Sequence, residues 1–101
     1  MTDDERTGIL DDVKNYLDIT YQDNEINKKL SGIVERGINF LDNVAGKNLD
    51  YTKESQGRQL LFDYCRYARS NDLEDFKTNF GPELVMLRIE HGVEDYAERK
   101  V

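Results

Sequence analysis

The stretch from Asp23 to Gly46, DNEINKKLSGIVERGINFLDNVAG, decides how this chain folds. Ile26, Leu30, Ile33, Val34, Gly37, Leu41, Val44 and Ala45 recur at helical spacing and mark one continuous stripe. Asp23 has the short acceptor side chain of an N-cap, and Glu25 puts a negative charge in the first turn, where the helix dipole favours it. Gly46 offers the left-handed residue that closes a helix, and Lys47 follows it. The pattern predicts a helix over 24–45. Gly32 and Gly37 each weaken the interior of such a helix by about 1 kcal/mol relative to alanine. Their expected use is close approach of another helix or subunit, set against the plainer reading of a tolerated cost.

Working outward, residues 1–8 read as a loose polar lead, and Ile9, Leu10, Val13, Tyr16 and Leu17 predict a helix over about 8–18. Its apolar face is narrow, so it must dock to persist. Residues 46–54 form a connection in which Leu49 and Tyr51 are expected to fold back as a lid. A helix over about 54–70 turns Leu60, Leu61, Tyr64, Cys65 and Ala68 inward, with Arg58, Arg66 and Arg69 between them. Asp72 with Asp75 resembles a capping sequence. Leu73, Phe76, Phe80, Leu84 and Leu87, with Val85 as a further inward candidate, continue the helical spacing. Gly81-Pro82 divides them into short helices at 73–80 and 82–90. No segment alternates like a strand and no repeat appears. The expected fold is all-α: four to five short helices around one long central helix. The division is a lead at 1–8, a helical domain at 9–91 and a flexible C-terminal tail at 92–101.

With 101 residues the chain holds one domain and a modest core. Lys and Arg number 14 against 21 Asp and Glu, a formal charge of −7, and no basic run exceeds Lys28-Lys29 or Arg99-Lys100. A grip on a phosphate backbone needs concentrated cations, so nucleic-acid binding is disfavoured. The opening Met1-Thr2-Asp3-Asp4-Glu5-Arg6 is acidic, without an apolar signal region. No run approaches the roughly 18 apolar residues of a membrane span. Neither signal-led secretion nor membrane insertion is expected.

The residues offer little chemistry. Cys65, the one cysteine, lies in an apolar run and reads as a small core residue. His91, the one histidine, has Glu90 and Glu94 near it, but Gly92 intervenes and nothing completes a ligand set. The pairs Asp3-Asp4 and Asp11-Asp12 are adjacent and do not share a helical face. Glu35 and Asp42 read as solvent-side positions. No catalytic residue, cofactor or metal is expected, and the chain is read as no enzyme. The run Tyr64-Cys65-Arg66-Tyr67-Ala68-Arg69 is more telling. Tyr and Arg anchor protein interfaces because they cover wide surface and keep a polar tip bonded. Arg66, Arg69 and Tyr67 are therefore the candidate subunit-interface residues, against the plainer reading that the arginines pair with local carboxylates. Beyond Gly92, Val93, Tyr96, Ala97 and Val101 are the candidates for a partner-facing side of the tail.

One resemblance spans residues 8–90. It runs through Ile9-Leu10-Asp11-Asp12-Val13-Lys14-Asn15-Tyr16-Leu17-Asp18-Ile19, Gln22-Asp23-Asn24-Glu25-Ile26, Ile38-Asn39-Phe40-Leu41-Asp42 and Gly46. It continues through Arg58-Gln59-Leu60-Leu61-Phe62-Asp63-Tyr64-Cys65-Arg66-Tyr67-Ala68-Arg69-Ser70-Asn71, Leu73-Glu74-Asp75-Phe76 and Glu83-Leu84. In order and spacing these marks resemble the small head–tail connector, or head completion, proteins of tailed bacteriophages and prophages. The resemblance implies a structural adaptor that forms a ring of about twelve copies beneath the portal. Such a ring lengthens the DNA channel and docks a second connector or a tail-completion protein, and DNA passes without specific binding. Residues 91–101 would then face the portal, and helices 24–45 and 54–70 would supply the body and subunit contacts. The implied location is the head–tail interface of the virion, and the host cytoplasm during assembly. The other reading is a small helical interaction or regulatory module without catalytic activity.

Overall fold

A computed structural model describes residues 1–20 and 22–99, with backbone alone for 93–99. Five helices follow one another: α1 (Asp3–Tyr16), α2 (Asn24–Ala45), α3 (Gln56–Arg69), α4 (Leu73–Asn79) and α5 (Gly81–Arg99). The all-α expectation holds, with α2 at the centre. It packs most widely on α3, then on α5, while α1 lies more lightly across α2 and α3 and α4 bridges α3 and α5.

The bounds of α2 follow from its ends. The Asp23 carboxylate accepts from Glu25 N at 2.8 Å and Ile26 N at 3.2 Å; at the other end Gly46 N donates to Asp42 O at 2.8 Å, and Gly46 at φ 78° turns the chain so that Lys47 N reaches the same oxygen at 3.2 Å. Leu30, Val34, Ile38, Leu41 and Ala45 are buried along the predicted stripe. Gly37 is where α3 comes closest: a Cβ there would lie 2.8 Å from Leu61 Cδ1 and from Tyr64 Cδ1. Gly32 differs, since its nearest outside atoms belong to the side chain of Arg36. Close approach thus accounts for one of the two glycines.

The first helix starts within the stretch expected to be loose. Thr2 Oγ1 accepts from Glu5 N at 3.1 Å while Glu5 Oε1 accepts from Thr2 N at 2.9 Å, a reciprocal cap that starts α1 at Asp3. It ends in a Schellman turn: Asp18 takes φ 59°, Asp18 N donates to Asn15 O, and Ile19 N donates to Lys14 O. The turn drives Ile19 into the core beside Ile9 and Val13. The same closure ends α3, with Asn71 at φ 63° and Asp72 N donating to Tyr67 O at 2.8 Å.

The lid is present. Tyr51 is fully buried, and its hydroxyl donates to Asp42 Oδ1 at 2.7 Å, which also accepts from Leu49 N. Asp42 is therefore no solvent-side acid but the post to which the α2–α3 connection is tied. Gly81-Pro82 separates α4 from α5 as predicted, because proline fits a first turn and fills no later one. Two details of α5 depart from expectation. Val85 faces out, 56% exposed, while Leu87 is buried. The helix also runs on through Gly92 to Arg99, where a tail was expected from 92. One glycine costs a helix about 1 kcal/mol, and the Glu, Ala and Arg that follow are good formers. Val93, Tyr96 and Ala97 thus lie on α5, although their side chains, like all of Val101, fall outside the described residues.

Candidate protein-interaction surface

α5 presents two opposite sides. Leu84 and Leu87 pack on the core, and Val85, Met86 and Ile89 are 56%, 58% and 53% exposed on the far side. Positions 85, 86 and 89 are one helical turn apart or adjacent, so they make one patch. Large apolar side chains grouped this way and rimmed by polar residues mark a contact surface more often than single exposed ones do. An open trough of about 670 Å³ runs beside the patch, between α5 and the end of α2, lined by Val44, Gly46, Leu84, Val85 and Arg88.

A second depression, of about 180 Å³, lies near the other end of α2. Ile19, Ile26, Leu30, Ile33 and Ala68 make its apolar walls, and Lys29 and Arg69 stand at its rim. It forms because the Schellman turn after α1 carries Ile19 against the first turns of α2 and the last of α3.

The three interface candidates are divided between two places. Arg66 and Tyr67 share a corner. The Arg66 guanidinium lies 4.8 Å from the centre of the Tyr67 ring and 3.2 Å from Asp63 Oδ1. Tyr67 stacks edge-on against Phe76 and Phe80, and its hydroxyl accepts from Asn79 Nδ2 at 3.3 Å. Both side chains already have partners within the chain. Arg69 stands apart at the rim of the apolar depression.

Two charged centres were not singled out in the sequence. Asp63 is buried and accepts from Tyr16 Oη at 2.9 Å, Gln59 Nε2 at 3.3 Å and Arg66 at 3.2 Å. Burial, and then the Asp63 carboxylate, push the Tyr16 hydroxyl above its ordinary value. Arg58 ties three segments: it donates to Asp12 Oδ2 at 2.7 Å and Tyr51 O at 2.8 Å, lies 3.5 Å from Glu54 Oε1, and sits 4.7 Å over the Phe62 ring. Both centres join helices to one another. Elsewhere, burial pushes the Cys65 thiol up to about 12, so it stays protonated and sheltered at neutral pH. Burial, then the Asp42 carboxylate, raise Tyr51 further still.

Among the described residues no group of three or more His, Cys, Asp or Glu is placed to hold a metal ion. No helix there is long and apolar enough to cross a membrane. No protein-family model, curated protein or solved structure matches the chain.

Proposed function

We propose that this small helical domain works by binding other proteins, without catalysis, and that the outward side of α5 is where it binds. The observation that carries the reading is the pair of opposite faces on one helix: Leu87 is 1% exposed, while Val85, Met86 and Ile89 are each more than half exposed. Burying apolar surface yields about 25 cal/mol per Å², and an amphipathic helix presented to a partner is a recurrent way to recover it.

Within that class, the resemblance over residues 8–90 supports a head–tail connector subunit, with the phage portal and a tail-completion protein as partners. An acidic exterior suits a protein beside a DNA channel, because like charge keeps the duplex from adhering. In this reading α5 is the contact helix, and the segment from residue 91 onward faces the portal.

The test is size-exclusion chromatography with light scattering on the chain mixed with the portal protein of the same genome. The wild-type chain is expected to co-elute at a ring stoichiometry. A Met86→Glu, Ile89→Glu double variant is expected to keep its helical spectrum and melting temperature and to elute alone. Equal binding by that variant removes α5 from the contact. A wild-type chain that ignores the portal removes the connector reading and leaves the interaction module with another partner.

A further inference from the structure

We propose that the flank of α2 from Ile26 to Val44 is a second docking seam, which takes an acidic amphipathic helix of a different protein. The seam is separate from the outward patch of α5 and does not depend on it.

α2 itself supplies the apolar half. Ile26, Ile33 and Phe40 recur every seven residues, the spacing of one coiled-coil position, and Val44 follows one turn on. All four are half-buried. The positions that would complete a paired apolar seam, 29, 36 and 43, hold Lys29, Arg36 and Asn43, all exposed. Apolar burial therefore provides only part of the contact, and charge selects the helix that completes it.

The neighbouring helices add cations along the same flank. Arg69 of α3 stands with Lys29 beside Ile26 and Ile33. Arg36 comes next, near Tyr64: burial raises the Tyr64 hydroxyl and the Arg36 charge pulls against it. Lys77 of α4 lies 5.8 Å from the centre of the Phe40 ring, and Arg88 of α5 lines the trough beside Val44. All five cations are exposed, and none makes an ion pair among the described residues. Two acids of α2 are engaged elsewhere, Glu35 with Arg6 and Asp42 with Tyr51. Glu25 and Glu74 stand one turn before Lys29 and Lys77 and pair with neither. The flank thus gathers surplus positive charge in a chain whose formal charge is −7.

Apolar side chains at regular helical spacing, set among unpaired cations, call for aliphatic residues at matching spacing with Asp or Glu beside them. A phosphate backbone has no apolar group to meet Ile33 and Phe40, and the acidic chain as a whole repels it. Nor do the chain's own acid-bearing helices fit. α1 carries Asp3, Asp4, Glu5, Asp11 and Asp12 but uses Ile9 and Val13 for its own core. The outward patch of α5 is bordered by Arg88 as well as Glu90, both exposed. The occupant is therefore a helix of another protein, and about 18 residues of it span the seam.

The test uses a fluorescein-labelled helical peptide of about 18 residues, with Leu at its a and d positions and Glu on either side of them. Its counterpart carries Lys in place of every Glu. In fluorescence anisotropy the Glu peptide is expected to bind the wild-type chain about tenfold or more tightly than the Lys peptide or a labelled DNA duplex. That affinity is expected to fall as salt is raised, a readout that needs no variant. Arg36→Glu with Lys77→Glu is expected to weaken the Glu peptide by about tenfold. Lys28→Glu with Lys53→Glu makes the same change of charge at exposed positions off the seam, and is expected to change binding by less than about twofold. Both double variants are expected to keep the wild-type circular dichroism. No binding of the Glu peptide, equal binding of both peptides, tighter binding of the duplex, or equal loss in the two double variants overturns the proposal. So does a wild-type chain that self-associates in sedimentation velocity and loses that association with Arg36→Glu and Lys77→Glu, since the seam would then join copies of this chain.

Discussion

Gly37 and Gly32 sit five residues apart on α2 and predict opposite responses to the same substitution. At Gly37 an added methyl meets Leu61 and Tyr64 carbons at 2.8 Å, both held in the core. Overpacking of this kind costs about 1–3 kcal/mol, more than the helix gains from losing a glycine. At Gly32 the nearest obstacle is the guanidinium end of Arg36 at 3.2 Å, which can swing aside. Gly37→Ala is expected to lower the urea midpoint and Gly32→Ala to raise it, the latter by up to about 1 kcal/mol. The two positions look alike in sequence, because what separates them is the neighbour across the helix interface. Cys65 gives a pH-dependent prediction at the same scale. Burial pushes its thiol above its ordinary value, up to about 12. A raised folded value means that its share of stability is complete below about 9 and is lost as pH climbs toward about 12. Tyr51 and Tyr64, also raised chiefly by burial, act in the same direction. Stability is therefore expected to fall across that alkaline range, and Cys65→Ala to make the fall shallower. An unchanged slope in the variant would rule out the thiol's part.

Among the elements, α2 was fully legible because both of its stops are local: a carboxylate at the N-cap and a glycine at the C-terminal turn. The start of α1 was legible too, in the Thr2-to-Glu5 spacing, but an apolar-periodicity reading passes over a turn that has no apolar residue. The tied connection between α2 and α3 was only half visible. Burial of Tyr51 follows from its aromatic side chain, whereas its bond to Asp42 depends on a fold-back that brings together residues nine apart. Asp63 is the extreme case, with its Tyr16 donor 47 positions away. Tyr51→Phe is expected to cost about 1.5–3 kcal/mol in chemical denaturation, since the bond it removes has a charged acceptor in a buried site. On α5 the inward side was legible in the spacing of Leu84 and Leu87, and the miss was Val85, a further inward candidate in the sequence that is 56% exposed. Apolar residues occur all round the first two turns of this helix, so spacing alone could not group Val85 with Met86 and Ile89 as an outward patch.

As a whole the molecule is a slab of 49 × 31 × 18 Å with a radius of gyration of 14.3 Å, against about 13 Å for a compact domain of this length. Two helix layers fill the short dimension, so there is room for one thin core and little else. A chain of that shape gains by covering its open apolar side, and binding that covers it adds to its stability by mass action. The melting temperature is expected to rise with protein concentration, or on adding the partner, and to stay flat for the Met86→Glu, Ile89→Glu variant. The candidate site was legible only in part. Arg69 stands at an apolar depression, while Arg66 and Tyr67 are engaged with Asp63, Asn79 and the Phe76–Phe80 cluster.

The most direct test of α5 as the contact helix is photocrosslinking in cells carrying the chain's own genome. A photoreactive residue is placed at position 86 in one version and, as a control, at exposed position 4 on α1 in another. The account predicts discrete higher-mass products from position 86 that are absent from position 4. No product from position 86, or the same products from both, would contradict it.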